Sequence, residues 1–182
     1  MFTKLNIKHN LAYQGEVDNS ISFGSIENGE YKGYKSMPVE SNNIIDAIKL
    51  ILPEKYRNNF AVELIQITGG YLPPHQDANI TVAINFYVET ADGVTTFYKP
   101  KFGTNPKKEF LINQKTGFVY DVKDLDEVSS FKAEVGDAYL LDVKSIHSVT
   151  SDEKKTRRAY ALMSSEYNYN QTLAILKESG VV

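Results

Sequence analysis

From Phe60 onward the chain reads as a succession of short strands separated by turn residues, which restricts it to a few folds. Residues 61–68 form one strand, closed by Gly69-Gly70. Residues 81–88 form another, with strict alternation: Thr81, Ala83, Asn85 and Tyr87 fall on one face, and Val82, Ile84, Phe86 and Val88 on the other. The second set reads as a face buried in apolar packing. The first, smaller and more polar, suits the lining of a pocket. Asp92-Gly93 marks a turn before a strand at 94–98. Residues 109–112 and 117–122 read as a hairpin around 113–116, residues 124–128 as a short helical turn, and 131–134, 138–143, 147–150 and 157–164 as further strands. Many short strands with turn signals between them imply a mainly β sandwich or closed barrel.

Two helices flank this region. Ser41-Asn42 has the chemistry of a helix start, Ile44, Ile45, Ile48, Ile51 and Leu52 recur at helical spacing, and Pro53 ends the run. Leu173, Ile175, Leu176 and a closing Gly180 mark a C-terminal helix. The first forty residues are polar and glycine-dotted, with a strand-like piece around 21–23. With 182 residues and no repeat or linker, the chain is expected to form a single domain over 1–182, its core within about 61–164.

Composition removes several classes of function. The formal net charge of −3 provides no basic field for nucleic acid. The absence of cysteine excludes disulfides, thiolate zinc sites, iron–sulfur clusters and a cysteine nucleophile. No apolar run is long enough to cross a bilayer, and the N-terminal residues lack the apolar stretch of a secretory signal, so a cytoplasmic location is expected.

The residues with the most chemistry are His75, Asp77 and His147. His75 and Asp77 are separated by one residue in Tyr71-Leu72-Pro73-Pro74-His75-Gln76-Asp77, so on an extended strand they share a face. His147 lies on a distant strand. Two imidazoles and a carboxylate are the donor set of a facial triad, which leaves coordination positions open and is associated with non-heme Fe(II) oxygenases. Gly136-Asp137 precedes an apolar strand and His147, and Arg157-Arg158 opens the next strand, ten and eleven positions past that histidine.

In that order, Gly69 to Asp77, Thr95-Thr96-Phe97-Tyr98, Gly136-Asp137 with His147-Ser148-Val149, and Arg157-Arg158-Ala159-Tyr160 resemble the Fe(II)- and 2-oxoglutarate-dependent dioxygenases, on the prolyl-hydroxylase-like branch. The resemblance covers roughly 61–164. It implies a double-stranded β-helix (a jelly roll, or cupin-like barrel) with flanking helices. It further implies iron held by His75, Asp77 and His147, 2-oxoglutarate as cosubstrate and O2 as substrate. A basic residue about ten positions after the second histidine is implied to grip the far carboxylate. Arg157 has that spacing and is favoured, while a register error of one would exchange it for Arg158. Its planar fork matches a carboxylate. Tyrosines that often assist are replaced by Asn85 and by Gln66, with Tyr87 or Tyr98 as compensating candidates. The carboxylate at Asp77 favours hydroxylation over halogenation.

A peptidyl, prolyl-like substrate and a small molecule are both compatible with that resemblance. The lysines at 99, 101, 107 and 108 make one loop basic, which would suit an acidic substrate, although a solvated surface loop is the simpler reading. Two alternatives stay open: a cupin-like metal enzyme that does not use 2-oxoglutarate, and a non-catalytic jelly-roll binding domain.

Overall fold

The computed structural model describes residues 1–13, 34–112 and 115–182. Among these, two helices and twelve strands follow the order β1 (Phe2–Lys8), β2 (Tyr34–Pro38), α1 (Asn42–Lys49), β3 (Ala61–Ile67), β4 (Tyr71–Asp77), β5 (Val82–Glu89), β6 (Val94–Pro100), β7 (Lys108–Ile112), β8 (Lys115–Val119), β9 (Leu125–Lys132), β10 (Asp137–Leu141), β11 (Ile146–Thr150), β12 (Arg157–Ser164) and α2 (Tyr169–Glu178). They form two six-stranded antiparallel sheets, ordered β1-β10-β5-β12-β3-β2 and β7-β8-β4-β11-β6-β9.

Eight of these strands make a jelly roll. From β3 to β6 the chain alternates between sheets, turns within the second sheet to β9, and alternates again through β10, β11 and β12. Counted first to eighth, β3, β4, β5, β6, β9, β10, β11 and β12 lie sixth-third-eighth-first in one sheet and second-seventh-fourth-fifth in the other. This interleaving of two Greek keys is the jelly-roll, or cupin-like, architecture. β1, β2, β7 and β8 widen the sheets at their edges.

The alternation in β5 explains how the layers stack. Val82, Ile84, Phe86 and Val88 join Leu140, Tyr160, Leu162 and Leu64 on the outer face of the first sheet, where they meet Ile44, Ile48 and Leu52 at α1 and Ile175 and Leu176 of α2. The opposite face, with Ala83, Tyr87, Ala159, Ala161 and Met163, turns between the sheets toward Phe97, Phe131 and Val143. The first sheet is therefore covered on both sides, by helices and by the second sheet. Asn168 caps α2 in a reciprocal capping box with Gln171.

Several sequence expectations change here. Residues 124–128 are not a helical turn: a short 3-10 turn occupies Val122–Asp124, and β9 begins at Leu125, absorbing the strand expected at 131–134. Edge pairing to β6 holds this polar segment extended. β1 and β2 were also unforeseen, because edge strands need no strong apolar alternation. The strand-like piece at 21–23 and the hairpin turn at 113–114 lie outside the described residues, although the pairing of Ile112 with Lys115 confirms the hairpin.

Candidate metal and anion pocket

β4 and β11 bring the distant histidines together. His75 pairs directly with His147 across the ladder, and their ring centroids lie 4.2 Å apart. The register shifts between His147 and Val149: two residues of β4, Pro73 and Pro74, stand opposite Ser148. Proline cannot donate to a ladder, and a bulge is where a strand interior tolerates it. The bulge has a second consequence. His75 Nδ1 lies 2.8 Å from the Pro73 carbonyl, and His147 Nδ1 lies 2.9 Å from the Ser145 carbonyl. A carbonyl only accepts, so each Nδ1 carries the proton and Nε2 is the basic nitrogen in both rings. Metal-binding imidazoles are commonly oriented in this way.

Burial, then the neighbouring His75, holds His147 well below the ordinary histidine range, so it is neutral at pH 7. Asp77 shares the face of His75, its Oδ1 4.0 Å from His75 Nε2. The donor types suit a divalent metal. As the side chains stand, no three His, Cys, Asp or Glu among the described residues close around a common point.

All three donors line one pocket between the sheets, with a cavity of about 90 Å³. Ala83, Asn85 and Tyr87 line it as the alternation of β5 predicts; Thr81 instead donates to the Ser164 and Tyr167 carbonyls outside it. Ala159 and Ala161, small residues on the neighbouring strand β12, leave this space unfilled.

Arg157 closes one end of the pocket and is only 4% exposed. Its Nη2 donates to Thr95 Oγ1 at 2.9 Å, and its guanidinium lies 4.8 Å from the centroid of the Tyr87 ring. Nη1 has no partner, and no carboxylate pairs with Arg157 among the described residues. Tyr87 OH and Asn85 Oδ1, also buried in the pocket wall, lack hydrogen-bond partners as well. Arginine remains charged in proteins, and a buried charge without a counterion is costly. An anion in this pocket would relieve that cost.

Arg158 resolves the register question differently. It pairs with Glu89, donates to Gln66 Oε1 at 2.9 Å and stacks 4.4 Å from the Tyr13 ring, away from the pocket. Gln66 was a candidate cosubstrate contact. The structure removes it from that role: alternation along β3 turns it to the other face, where Arg158 uses it, while Ile65 and Ile67 line the pocket. Tyr98 likewise faces outward, its hydroxyl 2.9 Å from Ser148 Oγ. Lys99, Lys101 and Lys107 do not line the pocket, and Lys101 is held by the Lys123 carbonyl at 2.7 Å. Tyr34 is a wall residue that the sequence did not signal. It arrives on edge strand β2, where burial, then the carboxylates of Asp77 and Glu63, pushes its phenol up.

The sequence matches no family model and no curated protein. Solved structures resemble the chain at low identity. Escherichia coli ycfD is 14% identical with a TM-score of 0.47, covering 94% of this chain and 43% of that one. The non-heme alpha ketoglutarate dependent epimerase SnoN from nogalamycin biosynthesis is 10% identical with a TM-score of 0.44, covering 79% and 64%. Vicilin from Capsicum annuum is 13% identical with a TM-score of 0.41, covering 86% and 32%. This chain thus spans between about a quarter and two thirds of the solved chains it resembles. The jelly-roll assignment rests on the strand order above. No helix among the described residues is long and apolar enough to cross a membrane.

Proposed function

We propose that this chain is an Fe(II)- and 2-oxoglutarate-dependent dioxygenase, with His75, Asp77 and His147 as metal ligands and Arg157 as the anchor of the cosubstrate. The supporting observation is a buried guanidinium without an acid partner in the pocket that also holds the two imidazoles and the carboxylate. A metal site alone would not need it. Iron held by these residues would supply the oxidising chemistry, in which O2 and the decarboxylation of 2-oxoglutarate to succinate and CO2 are coupled to hydroxylation of a substrate C–H bond.

The protein's own residues supply position and dryness. Arg157 Nη1 donates to the distal carboxylate, and the Tyr87 hydroxyl, otherwise unpartnered, donates beside it. Asn85 lies further along the same face of β5 and orients polar atoms nearer the histidines through its amide. The Pro73 and Ser145 carbonyls hold the imidazoles in the ligating tautomer. Ile67, Leu72 and Val149 exclude water from the anchored end, which strengthens the carboxylate–arginine pair. The primary substrate on this reading is a peptidyl side chain or a small molecule that approaches the histidines.

Anaerobic titration with Fe(II) and then 2-oxoglutarate tests the reading. A visible charge-transfer band that appears only with both present is expected, and succinate release then identifies substrates. Iron binding with no response to 2-oxoglutarate would move the chain to the cupin-like metal enzymes that do not use it. Failure to bind any divalent metal would leave a non-catalytic binding domain.

A further inference from the structure

Gly93 follows a tight turn in which Gly93 N–H donates to the Thr90 carbonyl at 2.8 Å. Asp-Gly is an ordinary turn pair, and the glycine of such a pair usually takes the left-handed backbone region. This turn departs from that. The left-handed positions are occupied by Ala91 (φ 49°) and Asp92 (φ 55°), and Gly93 does not have a positive φ. Its backbone conformation is therefore open to any residue, and something else excludes a side chain there. A Cβ on Gly93 would lie 2.5 Å from Arg157 Nη1 and 3.0 Å from Arg157 Cδ, with the Thr90 carbonyl at 2.9 Å. Real Cβ contacts are not that short.

The guanidinium of Arg157 is thus held from three sides. The Tyr87 ring lies 4.8 Å away, Thr95 Oγ1 accepts from Nη2, and the bare backbone of Gly93 abuts Nη1. Nη1 is also the nitrogen left without a partner. We propose that Gly93 is a positioning residue for anion binding: its missing side chain is the space in which Arg157 presents Nη1 to the ligand carboxylate. This rests on the cosubstrate role proposed for Arg157 and adds a residue that determines whether Arg157 can perform it. The Thr90 carbonyl is a separate demand on the same position, and the experiment must separate the two.

A double-mutant cycle on the full-length, Fe(II)-loaded protein does so, with 2-oxoglutarate affinity measured anaerobically by calorimetry. Gly93→Ala is expected to weaken 2-oxoglutarate on the order of 30-fold or more, approaching the loss for Arg157→Ala, because both remove the same contact. In an Arg157→Ala background, Gly93→Ala should add little further loss, since residues that act through one group are not additive. Full additivity would overturn the proposal and assign the effect to the Thr90 carbonyl and general strain. A crystal structure of Gly93→Ala provides a readout independent of cosubstrate. The guanidinium is expected to leave Thr95, and an alanine accommodated with the Arg157–Thr95 bond intact would also overturn the proposal. If Arg157→Ala leaves 2-oxoglutarate affinity unchanged, the functional reading fails, and the crystal structure still decides whether Gly93 seats Arg157.

Discussion

Arg157 and Arg158 are adjacent in sequence and opposite in role. One residue of register on β12 places the first against Tyr87 and Thr95 inside the barrel and the second against Glu89 and Gln66 outside it. Arg157→Ala is expected to weaken 2-oxoglutarate by a factor between about 30 and several thousand, as truncating a buried charge partner costs about 2–5 kcal/mol. Iron affinity should change little, and Arg157→Lys should recover only part, because lysine lacks the planar fork. Calorimetry on both variants and on Arg158→Ala, where only a mild effect is expected, checks the assignment. A large loss from Arg158→Ala alone would overturn it. His75→Ala and His147→Ala are expected to abolish Fe(II) binding, read by anaerobic equilibrium dialysis with metal analysis. Retention of stoichiometric iron in either would remove that histidine from the ligand set.

Each central strand of the first sheet has one face packed against the helices and one turned toward the pocket side. In β12, Tyr160 and Leu162 enter the helix-covered core, while Ala159 and Ala161 line the pocket and keep it open. Ala161→Leu is therefore expected to behave unlike most enlargements of a packed interior, which commonly cost about 1–3 kcal/mol. The added carbons have a cavity to enter. The melting temperature should be unchanged or raised, and 2-oxoglutarate binding should be lost. Differential scanning calorimetry with a binding titration checks both, and undiminished binding would show that the ligand does not reach the middle of β12. The β4 bulge works at the same scale, since two prolines that weaken a ladder provide the carbonyl that orients His75.

At the scale of the molecule, the N-terminal strand is secured to the barrel at one carboxylate. Asp137 is fully buried and pairs with Lys4 at 2.9 Å and Lys8 at 2.6 Å, both on β1. Burial opposes its ionisation, but the Lys8 and Lys4 contacts and the Glu134 N–H together lower its pKa to about 2 from 3.8. The unfolded chain then binds this proton more readily, so the stabilisation is fully present above pH 3.8, falls as pH drops toward 2, and is gone below that. Because the lysine side chains are about half exposed, screening reduces the effect to about 1–2 kcal/mol. Asp137→Asn should be less stable than wild type by that amount at neutral pH, with the gap closing between about pH 4 and 2. Urea melts across that range check it, and a gap that does not depend on pH would exclude the ion pairs as its source. The same strand carries Phe2 onto Phe131 and Phe97, the latter stacked 5.7 Å from the His147 ring, so the strap packs against one wall of the pocket.

By itself the sequence determined those features that depend on local periodicity. Alternation in β5 separated the apolar face from the pocket face, spacing placed His75 and Asp77 on one side of β4, and the isoleucines of α1 marked its buried stripe. The mainly β class followed from these signals and the turns between them, because side-chain direction in a strand or helix is fixed by backbone geometry. Tertiary structure decided what local chemistry leaves open. Residues 125–128 and the segments Phe2–Lys8 and Tyr34–Pro38 are extended because neighbouring strands supply their hydrogen bonds. Gln66 faces away from the pocket because Ile65 and Ile67 take the pocket face of β3, in the register of its pairing with β12. Tyr34 reaches the pocket wall only through its place beside β3. Glycine at position 93 answers to an arginine more than sixty residues later, a steric demand that only the folded chain creates.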